Sequence, residues 1–383
     1  MQKNKKALAW LNTAHFTNDV YTGFLNTIMP FIAAKLGFTM AIATVLIAIT
    51  QICSNMLQPV FGFFADNMLK RFFIFWGLIL SSIFIPLAPS APNIYILTLF
   101  MILGCLGSSF FHPQSMGFVK IFSEDNLNKN MGIFVSMGSL GFAFGPLIAA
   151  FITQFASLNK IFYTSFFGVT LALLMFIFIP KLSSSKKAVL QKDFFKSFKE
   201  ISTNKQMKYL MLVSMLKTLV TNSSCVLLPF LWKTMDYTPF YIGFALFLFV
   251  FAGAIASFLS PKIESKLGSK SIIYLSMWGT LPLMLGFALI YKTMPIFSLI
   301  LFSLIGFITM LAQPVTLVWA QKTLPEYKSV VAGIINGFCW GTIAFFLTFL
   351  GIFAEKFGII NVLIVLTSVP VFASGFVKKL KEV

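Results

Sequence analysis

Charge is scarce in this chain, and negative charge is scarcer still. Only 10% of the 383 residues are Asp, Glu, Lys or Arg, and 11 acidic side chains stand against 29 basic ones. A soluble protein of this length needs a charged surface, so the shortage excludes one. Histidine occurs twice and cysteine four times, with no CxxC pair. Cys53, Cys105, Cys225 and Cys339 all lie within apolar segments. That argues against disulfides and zinc sites, and neither a metal nor a cofactor is expected. The two histidines fall in different apolar segments, and no His/Asp/Glu or Cys cluster gathers at a segment end. An integral-membrane enzyme acting on lipid would need such a cluster. Rings of repeated charge and a filter-like loop are missing too, which argues against a channel.

Hydrocarbon fills the space. The chain is 58% hydrophobic with 48 Phe, and its mean hydropathy is +0.89. Charge-free runs cover 36–65, 72–119, 130–159, 161–180, 237–261, 271–291, 293–321, 329–354 and 357–377. A spanning helix needs roughly 20 apolar residues. The run 72–119 is long enough for two, and Pro86, Pro89 and Pro92 mark the turn between them. Adding 7–34 and 209–232 predicts twelve transmembrane helices. With the N-terminus in the cytoplasm, 23 of the 29 basic residues fall on the cytoplasmic side, 5 on the other, and Lys217 in a span. This split predicts that both termini are cytoplasmic. The first run follows Lys3, Lys5 and Lys6 as a signal peptide would. Its length, its Asp19 and its lack of a small-x-small site predict an uncleaved first span. The net charge of +18 then reads as contact with an anionic inner leaflet rather than with nucleic acid, because the lysines are spread over many loops.

The longest polar stretch, 181–208, is rich in Lys and Ser and halves the chain. Phe194, Phe195 and Phe198 alternate there with Lys192, Lys196 and Lys199, the pattern of a short amphipathic helix on a membrane surface. The predicted organisation is 1–180 as an N-terminal six-helix bundle, 181–208 as a basic cytoplasmic linker and 209–383 as a second six-helix bundle. The halves look like distant copies. His112-Pro113 matches Gln313-Pro314 and Gly132 matches Gly333 at an offset of 201, while Gln58-Pro59 matches Ser260-Pro261 at 202. Twin bundles around a midplane binding site are a common design of secondary transporters.

Two charges break the apolar runs: Asp19 in span 1 and Lys217 in span 7. A charge at the bilayer centre costs about 2.5–3.5 kcal/mol on insertion scales, so it ordinarily has a task and a partner. Asp19 lies about twelve residues into its span, roughly 18 Å at 1.5 Å per residue. His15, four residues earlier, shares its helix face, and Asn18 is adjacent. Asp19 and Lys217 are expected to meet as a switchable pair. Asp19 takes a proton from outside, with His15 or His112 as relay, and Lys217 is released to an anionic group on the cargo. Alternatively the two charges form a fixed ion pair, and His112 serves only carbonyls freed by Pro113. Asn18, Gln114, Asn222, Gln313, Asn336 and Trp340 are further candidates for cargo contact.

Several motifs resemble known ones. The loop Gly62-Phe-Phe-Ala-Asp66-Asn-Met-Leu-Lys70-Arg71 resembles the cytoplasmic signature of the major facilitator superfamily, with Leu69 where a second Gly is usual. Gly62, Asp66, Lys70 and Arg71 are thereby expected to act as a cytoplasmic gate. A more degenerate counterpart surrounds Glu264, Gly268 and Lys270. Gly138, Gly141, Gly145 and Pro146 in span 5 resemble the Gly-Pro motif of drug/proton antiporters, and equally suit close helix packing. Ala14-His15-Phe-Thr-Asn18-Asp19, Leu57-Gln58-Pro59-Val60-Phe61-Gly62, Gly107-Ser108-Ser109-Phe110-Phe111-His112-Pro113 and Trp319-Ala320-Gln321-Lys-Thr-Leu324-Pro325 together resemble the fosmidomycin-resistance branch of bacterial inner-membrane exporters. That branch also places a lysine in span 7. It carries an acid after the His-Pro, where this chain has Gln114. The resemblance implies the all-α major facilitator fold in a bacterial inner membrane, a monomer, and proton-driven export of small anionic or amphiphilic molecules. Import of a polar nutrient by the same fold is the alternative.

Overall fold

The computed structural model describes residues 2–67, 71–123, 126–180, 199–201 and 203–381. Every element among the described residues is helical. Eleven helical segments are long and apolar enough to cross a bilayer: Met40–Gly62, Phe72–Ser90, Ile94–Phe122, Lys129–Phe155, Leu158–Phe178, Lys205–Thr234, Pro239–Leu267, Ser269–Ile290, Pro295–Thr323, Val330–Phe357 and Ile359–Lys379. The helix before them, Gln2–Leu36, has 35 residues. It is long enough to span, but Asn12, Thr13, His15, Thr17, Asn18 and Asp19 dilute its hydropathy. These are spans 1 to 12 in chain order.

The predicted break in 72–119 is present. Span 3 tightens into a 3₁₀ turn at Ala88–Ser90, and Asn93 caps span 4 by accepting the Ile96 amide at 3.0 Å. The turn between spans 8 and 9 uses Gly268 at φ +80°, a backbone state that a side chain disfavours. Its amide donates to Glu264 O at 2.8 Å, and Ser269 Oγ donates to the Glu264 carboxylate at 2.5 Å. Residues 181–198, with the predicted amphipathic helix, lie outside the described residues.

Packing divides the chain into two units, Met1–Leu190 with Trp232–Phe247, and Gln191–Leu231 with Leu248–Val383. In the first unit the core gathers Leu11 and Ala14 of span 1 with Leu78, Phe111, Phe134 and Leu171. Small residues set the helix spacing, as expected where lipid supplies no hydrophobic drive. Gly77 faces the backbone of Gly107. Gly141 lies against the Phe16 carbonyl and Gly145 against the Val20 carbonyl, so spans 1 and 5 touch backbone to backbone. The segment Trp232–Phe247 joins this unit because Gly243 nests on Pro146 and Ala150.

The second unit has its own core, including Leu210, Val213, Met277, Val315, Trp319, Ile334 and Ile335. Serine hydroxyls tie neighbouring helices in both units. Ser109 of span 4 donates to the Cys53 and Ser54 carbonyls of span 2, and Ser260 of span 8 donates to Leu311 O of span 10 at 2.8 Å. Outward-facing Tyr95, Phe258, Leu289 and Phe372 are more than four-fifths exposed, as lipid-facing side chains are.

Candidate functional site

The first unit assembles an ionisable cluster on spans 1 and 4, packed against span 5. His15 and Asp19 sit one turn apart, with His15 Nε2 3.3 Å from Asp19 Oδ2. His112 reaches the same carboxylate from span 4, its Nε2 3.4 Å from Oδ1. The imidazoles meet edge to face, centroids 5.0 Å apart. Asn18 Nδ2 donates to Asp19 Oδ1 at 2.9 Å and to Ser108 Oγ at 3.3 Å, which holds the carboxylate in place. Asp19 and His112 side chains are each 15% exposed and His15 only 6%. The carboxylate and His112 are therefore the more accessible members, and His15 stands behind them.

The other side of His15 decides its proton inventory. Nδ1 lies 2.7 Å from the Phe134 carbonyl. A carbonyl only accepts, so Nδ1 carries the hydrogen. A neutral His15 then presents a bare Nε2 lone pair to a carboxylate oxygen at 3.3 Å, and the two repel. One added proton converts this into a hydrogen bond, as imidazolium with carboxylate or as imidazole with carboxylic acid. The His15 ring is further fixed by stacking on Phe134, centroids 4.0 Å apart. Gly138 closes the pocket, because a Cβ there would overlap the His15 ring and lie 2.7 Å from Asp19 Oδ2. Nitrogen and oxygen donors of His15, Asp19 and His112 all lie within 4.8 Å of one another. By donor type and spacing they are also the group among the described residues that could hold a metal ion.

The remaining candidates separate. His112 turns to Asp19 rather than to a carbonyl freed by Pro113. Gln114 is buried, and its Oε1 accepts the Ile74 amide at 2.8 Å. That satisfies one of the first-turn amides of span 3, which have no partner within the helix. We expect Gln114→Leu to cost about 1–3 kcal/mol by leaving this amide unpaired, while transport per folded molecule is kept. Thermal unfolding in detergent, paired with transport normalised to folded protein, checks both. Of the gate residues, Gly62 packs on Pro113, its would-be Cβ 3.3 Å from the ring. Arg71 is spent on the C-terminus of span 6. It donates to Phe176 O at 2.6 Å and to Ile179 O, with its guanidinium 4.9 Å from the Phe176 ring centroid. A cation there also complements the helix dipole. Lys70 and the Asp66 side chain lie outside the described residues.

Asp19 and Lys217, expected to pair, belong to different units, and each has its own surroundings. The carboxylate is held by two imidazoles and an amide of its own unit. Lys217 is 5% exposed, and its Nζ has no hydrogen-bond partner among the described residues. Its Nζ lies 5.8 Å from the centroid of the Trp340 ring. Asn222 is buried five residues further along span 7. Gln313 Nε2 donates to Asn336 Oδ1 at 2.7 Å. Sequence reasoning missed Ser108, which precedes His112 by four and so shares its face, and it missed the Phe134 carbonyl, which leaves no residue signature.

Twelve spans with an ionisable cluster buried in the first unit define a polytopic membrane protein built for transport rather than catalysis. The chain matches the family model of the Major Facilitator Superfamily over residues 11–349. It belongs to that family, whose members are membrane transporters and not enzymes. It is similar to the fosmidomycin resistance protein of Escherichia coli (strain K12), with 26% identity over 91% of this chain and 86% of that one. It is also similar to quinolone resistance protein NorA of Staphylococcus aureus, with 24% identity over 43% of each chain. Among solved structures, the nucleoside transporter NupG shares the fold with a TM-score of 0.70 at 16% identity, covering 98% of this chain and 98% of that one. A POT family transporter in complex with a thioalcohol-conjugated peptide gives 0.79 at 14% identity, covering 98% of this chain and 97% of that one.

Proposed function

We propose that the protein is a proton-coupled exporter of small anionic or amphiphilic molecules, working by alternating access in a bacterial inner membrane with both termini in the cytoplasm. No cofactor takes part, and the proton gradient is the driving force. The monomer is the working unit. The observation that carries this reading is the His15–Asp19 contact, whose geometry is satisfied only when one extra proton is present. Such a site has two states. Protonated, it is internally hydrogen-bonded. Deprotonated, it holds two mutually repelling groups and favours rearrangement. A proton thereby gains differential affinity for one conformation, which is what coupling requires. His112, on the more accessible side of the carboxylate, passes the proton in and out. Asn18 and Ser108 position Asp19. Lys217 receives the anionic part of the cargo.

Export is the direction supported by relatives named for resistance to fosmidomycin and to quinolones. The test uses inverted membrane vesicles with an imposed pH gradient. Fosmidomycin should accumulate inside when the lumen is acidic, and accumulation should collapse with a protonophore. Uptake driven by an alkaline lumen would reverse the direction, and uptake indifferent to the protonophore would overturn proton coupling.

A further inference from the structure

The second unit holds an ammonium with no acceptor among the described residues. Burying an isolated charge is costly unless a counter-charge or a hydrogen bond compensates. At 5% exposure, Lys217 lies near the face of Trp340, a partner worth far less than an anion. The backbone opposite is also unusual. Span 11 opens into a π-helical turn at Ile334–Phe338, the kind of local widening that recurs at functional sites. The turn is pinned to span 7 one turn before Lys217, because Ser214 Oγ donates to Ile335 O at 2.9 Å. It carries Asn336, and Trp340 follows four residues later.

Asn336 receives the Gln313 amide through its Oδ1, so its own NH₂ points its donors elsewhere, and Asn336 is exposed. Gln313 Oε1 is buried with no partner among the described residues. The set therefore offers one cation, one indole face, one amide donor and one unfilled acceptor.

We propose that Lys217, Trp340, Asn336 and Gln313 form the cargo site, and that its cargo is an organic monoanion: a carboxylate or a singly ionised phosphonate attached to a flat apolar body that also carries a hydrogen-bond donor. The oxyanion takes Lys217. Its body slides onto the indole, which in the empty site carries the ammonium's charge. The donor on the cargo fills Gln313 Oε1. A single ammonium neutralises a single negative charge, so dianions and cations are disfavoured. This inference deepens the exporter reading only in calling the anion a cargo, because binding at equilibrium needs neither a gradient nor turnover.

The test is equilibrium binding to the full chain in nanodiscs, with benzoate and 4-hydroxybenzoate against their neutral methyl esters. The acids should outbind their esters, and Lys217→Met should erase that preference by about tenfold or more, worth about 1.4 kcal/mol or more. Lys217→Arg should keep it. Lys217→Met should also raise the melting temperature of the empty protein, since an uncompensated buried charge is removed. Trp340→Ala should weaken acids and esters alike. Acids that bind no better than esters, or an acid preference that survives in Lys217→Met, overturn the proposal. Intact anion selectivity with transport that ignores the proton gradient would instead overturn the proton reading and leave this site standing.

Discussion

Asp19→Asn is expected to lower gradient-driven transport by about 100-fold or more, roughly 3 kcal/mol in the coupled step, while leaving folded yield and melting temperature near the wild-type values. The side chains match in shape. An amide at this position keeps an oxygen for Asn18 and His112. Its NH₂ donates to His15 Nε2, the lone pair that otherwise needs a proton. The variant thus imitates the protonated state permanently. Exchange of labelled cargo across the membrane without a gradient should persist, because exchange requires no deprotonation. Transport assays in proteoliposomes with and without a pH gradient separate the two modes. Full gradient-driven activity in Asp19→Asn would remove the carboxylate from the coupling mechanism.

Substitution along span 5 is expected to divide folding from function. At Gly141 a Cβ would meet the backbone of Phe16, overlapping its oxygen and lying 2.8 Å from its carbonyl carbon. Backbone cannot swing away, so spans 1 and 5 must separate. Overpacking of this kind costs about 1–3 kcal/mol, and Gly141→Leu should fall at or beyond the upper end, with a large loss of folded protein. Separation also draws Phe134 O away from His15, so surviving molecules should be uncoupled. At Gly138 the obstacles are side chains, the His15 ring and the Asp19 carboxylate, which can give way where backbone cannot, at the expense of the His15–Asp19 contact. Gly138→Ala should therefore fold in normal yield and transport poorly. Size-exclusion profiles of detergent extracts, compared with transport per folded molecule, distinguish the two outcomes. Equal effects of both substitutions on yield would show that Gly138 serves packing alone.

Composition and run lengths dictate the spans, because a bilayer imposes one length and one polarity on every crossing segment. Pro86, Pro89 and Pro92 place the break between spans 3 and 4 correctly. Part of the site is legible as well. Asp19 stands out as a charge in hydrocarbon, and the spacing of four puts His15 beside it. What stays hidden depends on contacts between helices. His112 meets Asp19 only because spans 1 and 4 pack together, and nothing in either segment announces the other. The Phe134 carbonyl fixes the His15 tautomer through the backbone, for which any residue at that position would do. Polarity points Gln114 toward cargo, and the loop signature points Arg71 toward a gate. The structure shows a contact for each that neither reading contains: Gln114 accepts an unpaired helix amide, and Arg71 donates to carbonyls ending span 6, groups that every helix end leaves open. Opposite charge alone matches Asp19 to Lys217 across the apolar runs. Charge complementarity does not reveal the two imidazoles that flank the carboxylate within its own unit.

The most direct measurement is proton release on cargo binding by purified protein in weakly buffered detergent solution, followed with a pH indicator. With the wild-type protein, saturating cargo should release about one proton per molecule, the proton shared by His15 and Asp19. Asp19→Asn should bind cargo and release none. Undiminished release from Asp19→Asn would place the exchanged proton elsewhere and contradict the account.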